Sequence, residues 1–120
     1  MTPSIVVNCT HGREDTERAT LSFVVGSVSA TADQATAVLL TCDGVWLATL
    51  GYADGVHHDG LPVLTDVQAS FVAAGGEIWA CGACTGPRGI TEGDLIPGAR
   101  IVTAALVVEA MAGGARTLSF

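Results

Sequence analysis

Two thiols, a guanidinium and three glycines fall within ten residues of this chain, in Cys81-Gly82-Ala83-Cys84-Thr85-Gly86-Pro87-Arg88-Gly89-Ile90. A cysteine acts as a nucleophile only as its thiolate, and cations or backbone N–H groups that converge on the sulfur lower its pKa. Arg88 and the glycine-rich backbone are candidates for both influences, which makes Cys81 the candidate catalytic thiol. The Cys-x-x-Cys spacing lets Cys84 pair with it as a redox disulfide. A guanidinium in a tight turn also suits an anion, because it offers several N–H donors in one plane. Gly82, Gly86 and Gly89, with His11 from an earlier turn, are therefore the candidate anion or substrate-binding positions.

The other candidate ligands are scattered. Cys9 and Cys42 end two further apolar runs and can face the same rim as Cys81, but a free cysteine is commonly a small buried apolar residue. A zinc site would need two more ligands from Cys9, Cys42, His11, His57 and His58, and no second Cys-x-x-Cys or His-x-x-x-His supplies them as a unit. No metal and no cofactor are expected. His57 and His58 are adjacent, so on a regular helix or strand they would face different ways, and a solvated loop is the simpler reading. A thioredoxin-like site is disfavoured because Gly86, Pro87 and Gly89 end any helix begun at Cys81 within a turn. The turn His11-Gly12-Arg13 lacks both the GxGxxG spacing and a P-loop, and neither paired carboxylates nor a serine elbow stands out.

Composition narrows the partners. The chain of 120 residues is read as one domain, 1–120. Its net charge is -7 with only five basic residues, unclustered, which argues against nucleic acid or an anionic membrane surface. Apolar residues make up 49% and charged residues only 14%, so association through an apolar face is expected. The longest apolar stretch, 35–53, is interrupted by Asp43-Gly44, so no bilayer span is expected. No basic leader precedes the first apolar run, which points to the cytoplasm, where thiols stay reduced.

Strand and helix signals alternate along the chain. Residues 4–9 and 35–41 read as buried strands, and 77–80 as the strand that delivers Cys81 to its carboxyl end. Helices are expected over 16–29, capped by Asp15 or Thr16; over 45–50; over residues up to about 74, capped by Thr65 or Asp66; and over 99–112. Residues 115–120 read as a last strand, and 51–62 as a long loop suited to a lid or subunit contact. The alternation predicts an α/β domain with a mainly parallel sheet.

These residues resemble a known family. Cys81-Gly82-Ala83-Cys84, Arg88-Gly89-Ile90, Leu95-Ile96-Pro97-Gly98-Ala99 and the carboxyl-terminal run to Phe120 are together similar to the DsrE/DsrF-like family, especially its YchN-like members. Gly12-Arg13-Glu14-Asp15-Thr16 and Asp43-Gly44-Val45 are similar as well. The resemblance implies a three-layer α/β/α sandwich of about five strands, assembled as a homotrimer or hexamer. It also implies sulfur relay through a cysteine persulfide, with Cys81 at the position seven residues before the arginine of the Arg-Gly pair. Donor and acceptor proteins would exchange sulfur with it, and Cys84 would either be a bystander or resolve the persulfide. The alternative from a different class is a non-catalytic oligomeric module that binds a small anion, a metal or a partner protein.

Overall fold

The computed structural model describes residues 2–120. In chain order they form β1 (Ile5–Cys9), α1 (Thr16–Thr31), β2 (Thr36–Leu40), a 3-10 segment (Cys42–Ala48), α2 (Leu64–Ala73), β3 (Glu77–Cys81), α3 (Gly82–Thr85), a 3-10 turn (Glu92–Asp94), β4 (Ala99–Val102), α4 (Ala104–Ala112) and β5 (Arg116–Ser119). The strands make one sheet in the order β4-β3-β2-β1-β5, and all four pairings are parallel. This is the α/β fold expected, with a sheet that is wholly rather than mainly parallel. Because the strands run the same way, their carboxyl ends share one edge and the loops that follow them lie side by side.

The central strand β2 is buried along its length, as a parallel strand covered on both faces must be. On one face Val7, Cys9, Val38, Leu40, Ile78 and Ala80 pack beneath α1 and α2, whose Phe23 and Phe71 meet edge to face at 6.0 Å. Gly26 brings α1 down onto the sheet, since a Cβ there would sit 2.8 Å from a Val38 methyl. On the other face Val6, Ala37, Leu39, Trp79 and Val102 pack against Ala110 of α4. Arg100 lies over the Trp79 ring at 5.5 Å and pairs with Glu77, closing the β3–β4 side of that face.

Three expectations need correction. Residues 99–112, read as one helix, are β4 followed by α4. A short apolar run fits either period, and here Ile78 N–H donates to the Gly98 carbonyl at 2.9 Å, which starts the ladder that pairs 99–102 with β3. Thr103 then caps α4, its hydroxyl accepting from Leu106 N–H at 3.3 Å. Neither Thr65 nor Asp66 caps α2: Val63 holds the cap position with no side-chain bond, and both polar residues lie inside the first turn. The short helix placed at 45–50 is the 3-10 segment that begins at Cys42. Asp15 does cap α1, which continues to Thr31. The loop at 51–62 is anchored by buried Ala53 and Val56, and by Tyr52, whose hydroxyl accepts from Arg13 N–H at 2.7 Å.

Candidate thiol site

β3 ends at Cys81, beside Val102 of β4, and the chain turns at once into α3. Gly82 permits that turn, because a Cβ would lie 3.2 Å from the Val102 carbonyl oxygen and 3.4 Å from Ile101. α3 is a single turn, as the Gly86-Pro87-x-Gly89 sequence predicts. Gly86 N–H donates to the Gly82 carbonyl and Gly89 N–H to the Gly86 carbonyl, each at 3.1 Å. The backbone donors of two of the candidate anion-binding glycines are thus engaged inside the turn, and Gly89 is there for its positive φ of 69°. Cys81 and Cys84 are both half-buried.

The sulfur of Cys84 faces the neighbouring loop. Its Sγ accepts a hydrogen bond from the backbone N–H of Cys42 at 3.1 Å. Cys42 follows β2, is exposed, and takes a left-handed φ of 52°, unusual for a residue other than glycine. The next residue, Asp43, accepts from Arg88 Nη2 at 2.9 Å and from Nε at 3.2 Å, while Arg88 Nη1 donates to the Cys84 carbonyl at 3.1 Å. Arg88 therefore ties the loop after β2 to the turn after β3. Its hydrogen bond to Asp43 is the main cause holding the guanidinium above its ordinary pKa; desolvation opposes this, and the charge of Asp43, then Cys84 and Cys42, adds to it. Beyond Arg88 an open cleft of about 390 Å³ runs between Trp46, Leu50, Ile90 and Asp94.

The remaining candidates are dispersed. Cys9 points into the core beneath α1, fully buried, with its thiol 3.3 Å from the His11 carbonyl oxygen. His11 lies past the end of β1, separated from β3 by β2, and its ring bonds Thr10 at 3.0 Å. His58 bonds Thr16 at 2.8 Å at the start of α1, and His57 bonds the Leu61 carbonyl within its own loop. Among the described residues no three His, Cys, Asp or Glu side chains are grouped to hold a metal ion. The site thus gathers Cys81, Cys84 and Arg88, adds Cys42, which is exposed rather than a small buried apolar residue, and adds Asp43, which the residue pattern did not single out. The signal for Asp43 was its place in the turn after β2, the parallel strand adjacent to β3.

Comparison with known proteins agrees with this architecture. The chain is 30% identical over 99 residues to the uncharacterized protein MJ0760 of Methanocaldococcus jannaschii, a match that spans 82% of this chain and 36% of that protein, so about a third of the relative's length. The ychN protein of E. coli superposes with a TM-score of 0.79 at 18% identity, over 98% of this chain and 99% of that one. MTH1491 of Methanobacterium thermoautotrophicum, a protein of unknown function, superposes with a TM-score of 0.70 at 16% identity over 97% of each chain. These two likenesses are of fold. The sequence profile of one family matches residues 4–120, nearly the whole chain, and with that match the protein belongs to the DsrE/DsrF-like family.

Proposed function

We propose that this protein accepts sulfane sulfur as a persulfide on Cys81 and passes it to an acceptor thiol. Its family is associated with sulfur relay. The reading rests on one observation: at the carboxyl edge of the sheet a half-buried thiol, Cys81, is followed one helical turn later by a second thiol, whose carbonyl accepts from the guanidinium of Arg88. The Cys81 thiolate attacks the outer sulfur of a donor persulfide, R–S–SH, forming Cys81–S–SH and releasing R–S⁻. An acceptor thiolate then attacks the outer sulfur, and Cys81 leaves as thiolate. On this reading the chain works in the cytoplasm as a homotrimer or hexamer between donor and acceptor proteins, and binds neither nucleic acid nor membrane. No helix is long and apolar enough to cross a membrane among the described residues.

The competing reading, an oligomeric module that binds a small anion or partner segment, has the open cleft beside Arg88 in its favour. Intact-mass spectrometry of the reduced protein after exposure to a small-molecule persulfide separates the two. A gain of one sulfur atom that mild reductant removes, and that Cys81→Ser abolishes, is the expected result. Equal and slow reaction of all thiols, with no sulfur retained, would transfer the case to the binding module.

A further inference from the structure

The segment carries two thiols, yet Cys84 turns its sulfur to the adjacent loop rather than back along its own turn. With Cys84 Sγ 3.1 Å from Cys42 N, the sulfur rests against the backbone of Cys42 itself. The Cys42 Cα is one bond of about 1.5 Å from that nitrogen, and its sulfur two bonds further. Rotation about one torsion, χ1 of Cys42, therefore swings its sulfur about a Cα–Cβ bond that begins one bond from the atom in contact with Cys84 Sγ. Disulfides join Cα atoms roughly 4.4–6.8 Å apart, a span that a sulfur in contact with its partner's N–H fits. Three further observations bear on the same pair. Cys42 takes a left-handed φ of 52° at the point where its N–H meets Cys84 Sγ. Arg88 clamps Asp43 and the Cys84 carbonyl, which holds the two loops in register. Cys42 is exposed and Cys84 half-buried, so both are open to reagents.

We propose that Cys42 and Cys84 are a dithiol pair that discharges sulfane sulfur as sulfide, with Cys42 rather than Cys81 as the resolving partner of Cys84. The inference rests on the persulfide reading above for its sulfur chemistry, and on the geometry alone for the pairing. When a persulfide donor loads Cys84, the Cys42 thiolate attacks the inner sulfur of Cys84–S–SH. The S–S bond to the outer sulfur breaks, and the outer sulfur leaves as hydrosulfide. Two thiols are oxidised to the Cys42–Cys84 disulfide while one sulfane sulfur is reduced to sulfide, so no further oxidant enters. A cellular dithiol reductant of the thioredoxin class then restores both thiols. Cys81 takes no part in this disulfide, so relay on Cys81 and discharge through Cys42 and Cys84 occupy one edge without sharing a thiol.

The sequence makes the test direct, because cleavage after Glu separates residues 18–77, which hold Cys42 alone, from 78–92, which hold Cys81 and Cys84. Reduced protein is treated with a small-molecule persulfide, free thiols are alkylated, and the unreduced digest is mapped while released hydrosulfide is counted. The expected result is 18–77 disulfide-linked to 78–92, Cys81 outside that link as an alkylated thiol or alkylated persulfide, and hydrosulfide released in step with the link. Cys42→Ser should bring release down to the blank, and Cys42→Gly, which suits a positive φ, repeats the test in a variant expected to stay folded. A disulfide within 78–92 would overturn the pairing. Treatment with 2,2′-dithiodipyridine, which oxidises close thiols directly, separates the two proposals. A 42–84 link without any sulfur loading on the protein sinks the relay and keeps the pairing. Sulfur on Cys81 with no 42–84 link under either reagent does the reverse.

Discussion

Cys9 and Cys42 are alike in type and stand at the ends of neighbouring parallel strands, but Cys9 pairs with Leu40 and Cys42 lies two positions further on, and that offset decides their fates. Cys9 is the last residue of β1 and shares with Val7 the face covered by α1 and α2, whereas Cys42 lies beyond the end of β2, where the chain turns left-handed. Burial pushes the Cys9 thiol above its ordinary value of 9.0, against the lowering influence of a backbone hydrogen bond at His11 and of the Ser22 hydroxyl. The sign follows from linkage. Below 9.0 the thiol is neutral in both states and contributes nothing to the balance; as pH rises past it, the unfolded thiol ionises while the folded one resists, so stability falls. We expect Cys9 to escape alkylation at neutral pH until the protein is unfolded, and Cys9→Ala to lose stability less steeply than wild type above pH 9. Chemical denaturation at several alkaline pH values, with intact-mass counting of alkylated thiols, measures both; a native Cys9 that labels as fast as Cys42 would contradict the burial. The residue pattern placed these thiols at strand ends but could not place their side chains, because an error of one residue in register reverses the face. The closeness of Cys81, Cys84 and Arg88 was readable from their spacing along the chain, whereas the contact of Cys84 with Cys42 spans 42 residues and exists only through the β2–β3 neighbourhood.

Elements were readable where the chain carries its own punctuation. Asp15 announces α1: its Oδ1 accepts from Arg18 N–H at 3.0 Å, and the Arg18 guanidinium completes the pair. Gly75-Gly76 ends the helix before β3 as expected, and Gly86-Pro87 holds α3 to one turn. β4 was not readable, since Ala99-Arg100-Ile101-Val102 has no turn signal between it and α4, and only pairing with β3 selects the extended form. The cap at Asp15 gives a pH-dependent prediction. Its carboxyl is held below its ordinary value, first by the Arg18 N–H and then by the guanidinium. A depressed carboxylate contributes stability that is present above its unfolded pKa of 3.8 and is lost as pH falls through the folded value. Asp15→Ala should therefore cost about 1 kcal/mol at neutral pH, and the gap to wild type should close in acid. Urea titrations at pH 7 and near pH 3 check this; a gap that stays constant would mean that the loss comes from packing rather than from the charged cap.

At the scale of the molecule, the two faces of the sheet are covered unequally. α1 and α2 bury a full set of side chains, but of the nine residues of α4 only Ala110 is buried. Val108 on α4 is 64% exposed, and Leu118 of the edge strand β5 is 50% exposed. With charged residues only 14% of the chain, little surrounds these side chains to keep them apart in water. β5 also pairs on one side only, with β1, so its outer backbone groups form an open edge of the kind that natural proteins cover or blunt. An assembly that seats α4 against another copy would remove Val108 and the exposed parts of Val107 and Met111 from water; full burial of an exposed side chain of this size is worth about 1.5–3 kcal/mol, and the two already packed on the core would contribute less. We expect light scattering at micromolar concentration to give a mass of several chains. Val108→Asp should shift that mass toward one chain without loss of helix signal, because the side chain contributes to no core cluster of the isolated fold. A wild-type mass of one chain would leave α4 solvated. An assembly untouched by Val108→Asp would move the interface to the groove beside β5, where Val25, Val28 and Leu118 line about 290 Å³ of apolar space. The thiol edge bears on the choice, since Cys81 stands at the β3–β4 end of the sheet and β5 at the opposite margin. Loss of Cys81 reactivity in the Val108→Asp monomer would mean that a second copy helps to complete the thiol site, and retained reactivity would make each chain a self-sufficient sulfur site.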